Sequence, residues 1–150
     1  MKSYIVNVEA AIYKRTEAGL KWLVIKRSDR EEHAPGIISL VGGKVETEEA
    51  DNDVLEKTVR REVEEEVGVR MEGRLEYLES TSFWIKEGYL VIDIIFLAEF
   101  RSGPARVCDT DEVAEVYWLN REEIAAHEKA PDYLLNTVDR ARRCLQEKTL

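Results

Sequence analysis

Leu55, Val59, Val63 and Val67 recur every four residues along a stretch that ends at Gly68. That period lays one apolar stripe along a helix, so Val54 to Val67 is predicted to be helical and to pack on a core. Gly68 stands where a left-handed C-cap belongs. At the other end, Asp51, Asn52 or Asp53 can each cap the first turn. The same helix carries Glu62, Glu65 and Glu66. At about 100° per residue these carboxylates share an arc of about 100°, and two of them abut the stripe in a row that Leu55 began. Carboxylates beside a core face are costly unless something neutralises them. They also repel one another at i, i+3 and i, i+4, by roughly 0.2–0.5 kcal/mol per pair. Hard divalent cations meet both needs. Mg²⁺ and Mn²⁺ prefer carboxylate oxygens and complete their shells with water and phosphate. The plainer alternative is a solvated acidic face paired locally by Arg60 and Arg61.

The chain around this helix has 150 residues, enough for a single domain over 1–150 with a core of its own. A net charge of -9 argues against a nucleic-acid polymer as partner, because phosphate backbones attract basic surfaces. A small phosphorylated ligand carried in by cations remains compatible with it. Cys108 and Cys144 suggest neither a disulfide framework nor a zinc site, so reduced thiols in a cytoplasm are expected. The N-terminus lacks the apolar run of a signal peptide. The longest apolar run, Tyr89 to Phe96, is interrupted by Asp93 and is too short to span a membrane.

Strands are predicted for Ser3 to Arg15, Leu20 to Arg27 and Ile37 to Val41, the last delivering the chain to a turn at Gly42-Gly43. Leu75 to Trp84 and Tyr89 to Phe100 form a hairpin around Lys86-Glu87-Gly88, a surface that could serve a homodimer. After the loop from Arg101 to Glu112, Val113 to Leu119 is a last strand. Asn120 and Glu123 make a capping box for a helix over Arg121 to His127, and Pro131 to Gln146 is a C-terminal helix. Strands interspersed with a few helices imply an α/β (α+β) fold with a mixed sheet and helices on its faces.

The run from Arg61 to Val69, REVEEEVGV, resembles the second half of the Nudix box, and every fixed position matches. Gly43 followed after five residues by Glu49 is similar to its first half. Glu49 and Arg61 are separated by eleven residues, a four-residue insertion, whereas Asp53 has seven residues before Arg61, the family's usual spacing. Val41 stands where the family often has proline. The resemblance implies a Nudix-type α/β/α sandwich. It also implies a metal-dependent pyrophosphohydrolase that cleaves a nucleoside diphosphate linked to another moiety.

Carried over position by position, Glu62, Glu65 and Glu66 would bind Mg²⁺ or Mn²⁺, and one of them would activate the attacking water. The Gly42 carbonyl would be a further ligand, and Arg61 would orient the glutamates. The family's distal glutamate falls on Glu112, with Glu115 as the alternative and a solvated loop carboxylate as the plainer role. Lys44 and Arg27 would reach substrate phosphates, as Lys26 and Arg30 could. His33 and His127 are expected at the surface. Phe83, Trp84 and Tyr89 could stack on a base, with core or edge-strand packing the plainer role. The competing functions are a non-catalytic Nudix-like module that binds a nucleotide, and an acidic scaffold without a ligand.

Overall fold

A computed structural model describes residues 3–148. In chain order the elements are β1 (Tyr4–Thr16), β2 (Gly19–Arg27), β3 (Ile38–Ser39), β4 (Val41–Lys44), α1 (Val54–Val67), β5 (Arg70–Trp84), β6 (Leu90–Ser102), β7 (Val113–Leu119), α2 (Arg121–Ala126) and α3 (Asp132–Lys148). The seven strands run β3–β2–β1–β6–β5, with β4 also pairing β1 and β7 also pairing β2. β1 and β6 are parallel, from Tyr4↔Leu90 to Tyr13↔Glu99. The other pairs are antiparallel, so the sheet is mixed as expected.

Side chains alternate across this sheet and build two cores. Val8, Ala10 and Ile12 of β1 join Val59, Val63 and Val67 of α1 on one face. Ala11 and Tyr13 of β1 join Ile124 of α2 and Leu134, Val138, Ala141 and Leu145 of α3 on the other. The three α1 valines are fully buried. At roughly 1.5 kcal/mol or more for each, their burial fixes the helix against the sheet, and with it the direction of its glutamates.

Several boundaries differ from the sequence expectation. The glycine pair is not a turn: Gly42 and Gly43 lie within β4, paired with Glu9 and Val8 of β1. The single strand expected over Ile37 to Val41 is two short ones, β3 on β2 and β4 on β1. β5 begins at Arg70, five residues before the expected Leu75, because Gly73 at φ 53° forms a bulge that breaks the alternating pattern without ending the strand. Asp53 is the N-cap of α1, but it sits in a left-handed conformation and its side chain caps nothing. Asp51, the alternative, is taken by Lys57 and the Asn52 amide. Gly68 at φ 69° closes the helix, its N–H donating to the Glu64 carbonyl at 3.0 Å. The capping box of Asn120 and Glu123 is present. Phe83, Trp84 and Tyr89 are exposed around the hairpin turn, not packed in a core. Among the described residues, no helix is long and apolar enough to cross a membrane.

Candidate active site

The C-terminal half of α1, the end of β4 and the loop before β7 converge. Glu62 and Glu66 lie one turn apart on α1 and face the sheet edge. The loop is pinned to the end of that helix by two backbone bonds: Arg106 N–H to the Val67 carbonyl at 3.0 Å, and Cys108 N–H to the Glu66 carbonyl at 2.9 Å. Its last residue, Glu112, accepts at its carbonyl from Ser28 N–H at 2.9 Å. These anchors bring Glu112 to the helix. One carboxylate oxygen from each of Glu62, Glu66 and Glu112 lies within 4.8 Å of the others.

Gly43 explains how Glu62 fits. A Cβ on Gly43 would lie 2.5 Å from the Glu62 Cδ, so only a glycine lets that carboxylate cross the strand. A Cβ on Gly42 would collide with the Val8 carbonyl oxygen of β1. The two glycines therefore serve different close approaches, Gly42 to a neighbouring backbone and Gly43 to a functional side chain.

The electrostatics of the cluster are strained. Glu66 is only 3% exposed, and its Oε2 has no hydrogen-bond partner. Burial above all pushes its carboxyl up to about 10, helped by a hydrogen bond with Glu112 and by the charges of Glu112, Glu62 and Asp109. Glu62 is pushed up to about 7, again chiefly by burial; Arg61 opposes this, while Glu112, Glu65 and Glu46 add to it. The hard oxygen donors, their mutual repulsion and the unpaired buried acceptor fit a hard divalent cation.

Glu65 is exposed and lies outside the cluster. Arg61 makes only a 3.5 Å ion pair with Glu62 and is itself largely exposed, so it biases Glu62 without gripping it. Glu115, the alternative to Glu112, sits in β7 opposite Lys26 and away from the cluster. Arg27 is half-buried at the end of β2, donating to the His33 carbonyl at 3.1 Å and to Glu31 at 3.1 Å. Lys44 is exposed at the end of β4, and Arg30 pairs with Asp111 at 2.9 Å. Glu49 and Asp53 are exposed and outside the cluster. His33 lies 3.9 Å from Glu87, and His127 accepts from the Lys129 amide at 3.0 Å.

Sequence reasoning missed Asp109 and Glu46, which act on the cluster by charge. Asp109 had a local signal, since it stands where its side chain and carbonyl hold the turn that presents Glu112. It also missed a carboxyl pair on the other face of the sheet. Asp93 is buried and accepts from Asn7 Nδ2 at 2.8 Å. Burial first, then a hydrogen bond with Asp93 and its charge, hold Glu9 well above the usual carboxylate range, with Arg27 opposing. The available signal was a carboxylate interrupting each of two apolar strands.

A family model described as the NUDIX domain matches residues 5–138, and the chain belongs to that family. It is 33% identical over 116 residues to the Nudix hydrolase YfcD of Salmonella typhi, an alignment covering 76% of this chain and 59% of that protein. The YfcD of Escherichia coli K12 is likewise 33% identical, with 61% of its length covered. The chain thus spans about three fifths of the length of the curated relatives it matches. Among solved structures, the MutT protein of Methanosarcina mazei Go1 superposes with a TM-score of 0.75 at 30% identity, covering 95% of each chain. The NUDIX domain of Shewanella oneidensis NrtR, solved with ADP ribose, superposes at 0.79 with 23% identity, over 97% of this chain and 90% of that one. These likenesses agree with the observed mixed sheet flanked by helices.

Proposed function

We propose that this protein hydrolyses the pyrophosphate bond of a nucleoside diphosphate linked to a second group, with Mg²⁺ or Mn²⁺ as cofactor. The observation that carries this is the buried, unpartnered Glu66 oxygen inside a group of three carboxylates. Glu62, Glu66 and Glu112 would hold the cation, with the Gly42 carbonyl beside the Gly43–Glu62 contact as a further ligand. When bound, a divalent cation neutralises charge on phosphate oxygens and makes water a better nucleophile. Glu65, exposed and outside the cluster, stays free to accept the proton of the attacking water. Arg61 favours the ionised form of Glu62. Arg27 and Lys44, at the ends of β2 and β4, would bind the phosphates.

The test is a hydrolysis screen with Mg²⁺ and Mn²⁺, its nucleotide products separated by anion-exchange chromatography, over nucleoside triphosphates, ADP-ribose, dinucleoside polyphosphates, nucleotide sugars and coenzyme A. Cation-dependent cleavage of at least one class is expected, and its loss in Glu66→Gln. The likeness to the NrtR domain solved with ADP ribose favours a second function, a nucleotide-binding module without turnover. Saturable ADP-ribose binding with no cleavage of any compound would establish that second function and defeat the first.

A further inference from the structure

β5 closes one side of the sheet: β6 pairs with it, and among the described residues no strand pairs with its other side. An edge strand presents unpaired N–H and C=O groups that another strand can take. The two halves of this edge differ. From Arg70 to Tyr77 it is guarded. The register against β6 slips after Arg70, after Glu72 and after Tyr77. Arg70, Glu72, Arg74 and Glu76 are charged and exposed. Arg60 donates to the Met71 carbonyl at 3.2 Å and to the Gly73 carbonyl. Bulges, charges and a covering group are the devices that keep sheet edges from pairing.

Ser80 to Trp84, STSFW, has none of them. Its register is regular from Ser80↔Ile94 to Trp84↔Leu90, it carries no charge and no proline, and all five residues are exposed. The carboxylates just before it are answered within the chain, Glu79 by Arg140 at 3.6 Å and Glu76 by Lys148. The net charge of -9 therefore has no local counterpart that would drive two such edges apart. Around the segment, Tyr77, Phe83, Trp84 and Tyr89 are 43 to 71% exposed. At about 150–250 Å² for a whole aromatic side chain, together they expose roughly 400 Å². An apolar patch of that size marks an interaction site. It is half of the roughly 800 Å² that each partner gives to a stable interface, and the strand itself adds to it.

We propose that this edge is the interface of a homodimer: Ser80 to Trp84 of two copies pair antiparallel, and the sheet continues across a twofold axis. A strand satisfies the outward backbone groups, and a second copy does so for both molecules at once. The register that pairs all five residues sets Ser82 opposite its own copy and Ser80 opposite Trp84. It also carries Lys86 of each hairpin turn toward the end of the other strand that holds Glu76 and Glu79, an opposite-charge contact. The interface stands independently of the hydrolase function.

Sedimentation velocity over ~5–500 µM protein brackets a dimer of micromolar Kd. The sedimenting mass should rise from one chain to two and stop there, because a twofold contact closes on itself. The double variant Ser82→Lys/Trp84→Lys sets like charges against each other across the axis. It should raise the dimer Kd by ~10-fold or more with an unchanged circular dichroism spectrum. If the double variant does not fold, Trp84→Ser is the smaller change, and it should weaken the dimer in the same direction. Tyr133→Lys alters an exposed aromatic on α3 and should leave the Kd unchanged. In hydrogen–deuterium exchange, alternate amides between Ser80 and Trp84 should slow as concentration rises, and those from Arg70 to Glu76 should not. A chain that stays monomeric throughout would leave this edge to a strand of another protein and overturn the dimer. So would a Kd that neither edge variant moves, or slowed exchange confined to other segments.

Discussion

The sheet carries a group of close carboxyls on each face, and the two groups are resolved differently. On the α3 face, Asp93 accepts from Asn7 at 2.8 Å, and Glu9 lies in hydrogen-bonding contact with Asp93. On the α1 face, Glu66 likewise hydrogen-bonds with Glu112, but its Oε2 stays buried and unpaired, and Glu62 and Glu112 add negative charge beside it. Glu9 and Glu66 are each raised mainly by burial. What separates them is polar satisfaction. A carboxyl pair that its own neighbours complete needs no ligand, whereas one left short of a donor has room for a cation in its place.

The largest expected effect is on turnover. Glu66→Gln should lower cation-dependent hydrolysis by ~10²-fold or more, since a bound metal supplies several kcal/mol of charge stabilisation. Glu9→Gln should leave the Mg²⁺-induced rise in melting temperature intact. The opposite pattern in steady-state rates and thermal melts would break the contrast between the two faces.

The glycine pair sharpens it next. Gly43→Ala should displace Glu62 and reduce turnover by up to ~10²-fold while the fold survives, because small misplacements of catalytic groups are that expensive. Gly42→Ala meets backbone instead, so it should lower unfolding free energy by about 1–3 kcal/mol in urea titrations. Equal losses of stability in both variants would show that Gly43 serves packing and not the site.

A smaller effect concerns pH in the presence of chelator. The folded pKa values of Glu62, about 7, and Glu66, about 10, both lie above their ordinary value of 4.5. The folded state therefore binds more protons. The stability from these groups is complete below the ordinary value and is lost as pH rises, through about 7 for Glu62 and about 10 for Glu66. Metal-free protein should melt progressively lower from about pH 5 to about pH 9, and saturating Mg²⁺ should flatten that slope. A melting temperature that rises over this range without metal would contradict the assigned burial. The smallest effect is expected for Glu65→Gln on Mg²⁺ affinity, well under that of Glu66→Gln, because Glu65 is exposed and its charge is screened. Loss of turnover in Glu65→Gln without loss of Mg²⁺ affinity would mark it as the base.

Much of the α1 face was legible because period and chemistry coincide there. The four-residue spacing of Val59, Val63 and Val67 fixes which way Glu62 and Glu66 point, and Gly68 marks the helix end. Glu65 was grouped with them because one angular arc holds all three, but the arc has depth only where the sheet and loop cover it. That cover comes from Gly43, Asp109 and Glu112, which are distant in sequence, so only pairing across β1 and pinning of the loop at Val67 and Glu66 bring them in. The glycine pair misled for a related reason. Glycine suggests a turn locally, whereas here both positions are demanded by close tertiary approach within a strand. The Glu9–Asp93 pair was hidden because β1 and β6 meet in parallel, a long-range pairing that no local pattern announces.

Glu62, Glu66 and Glu112 are proposed to hold one divalent cation together. Mn²⁺ titration followed by electron paramagnetic resonance, comparing the unaltered protein with Glu66→Gln, measures whether they do. A single Mn²⁺ site whose affinity falls by ~10-fold or more in Glu66→Gln is predicted, since each lost carboxylate ligand removes a charge-bearing donor. Equal Mn²⁺ affinity in the two proteins would contradict it.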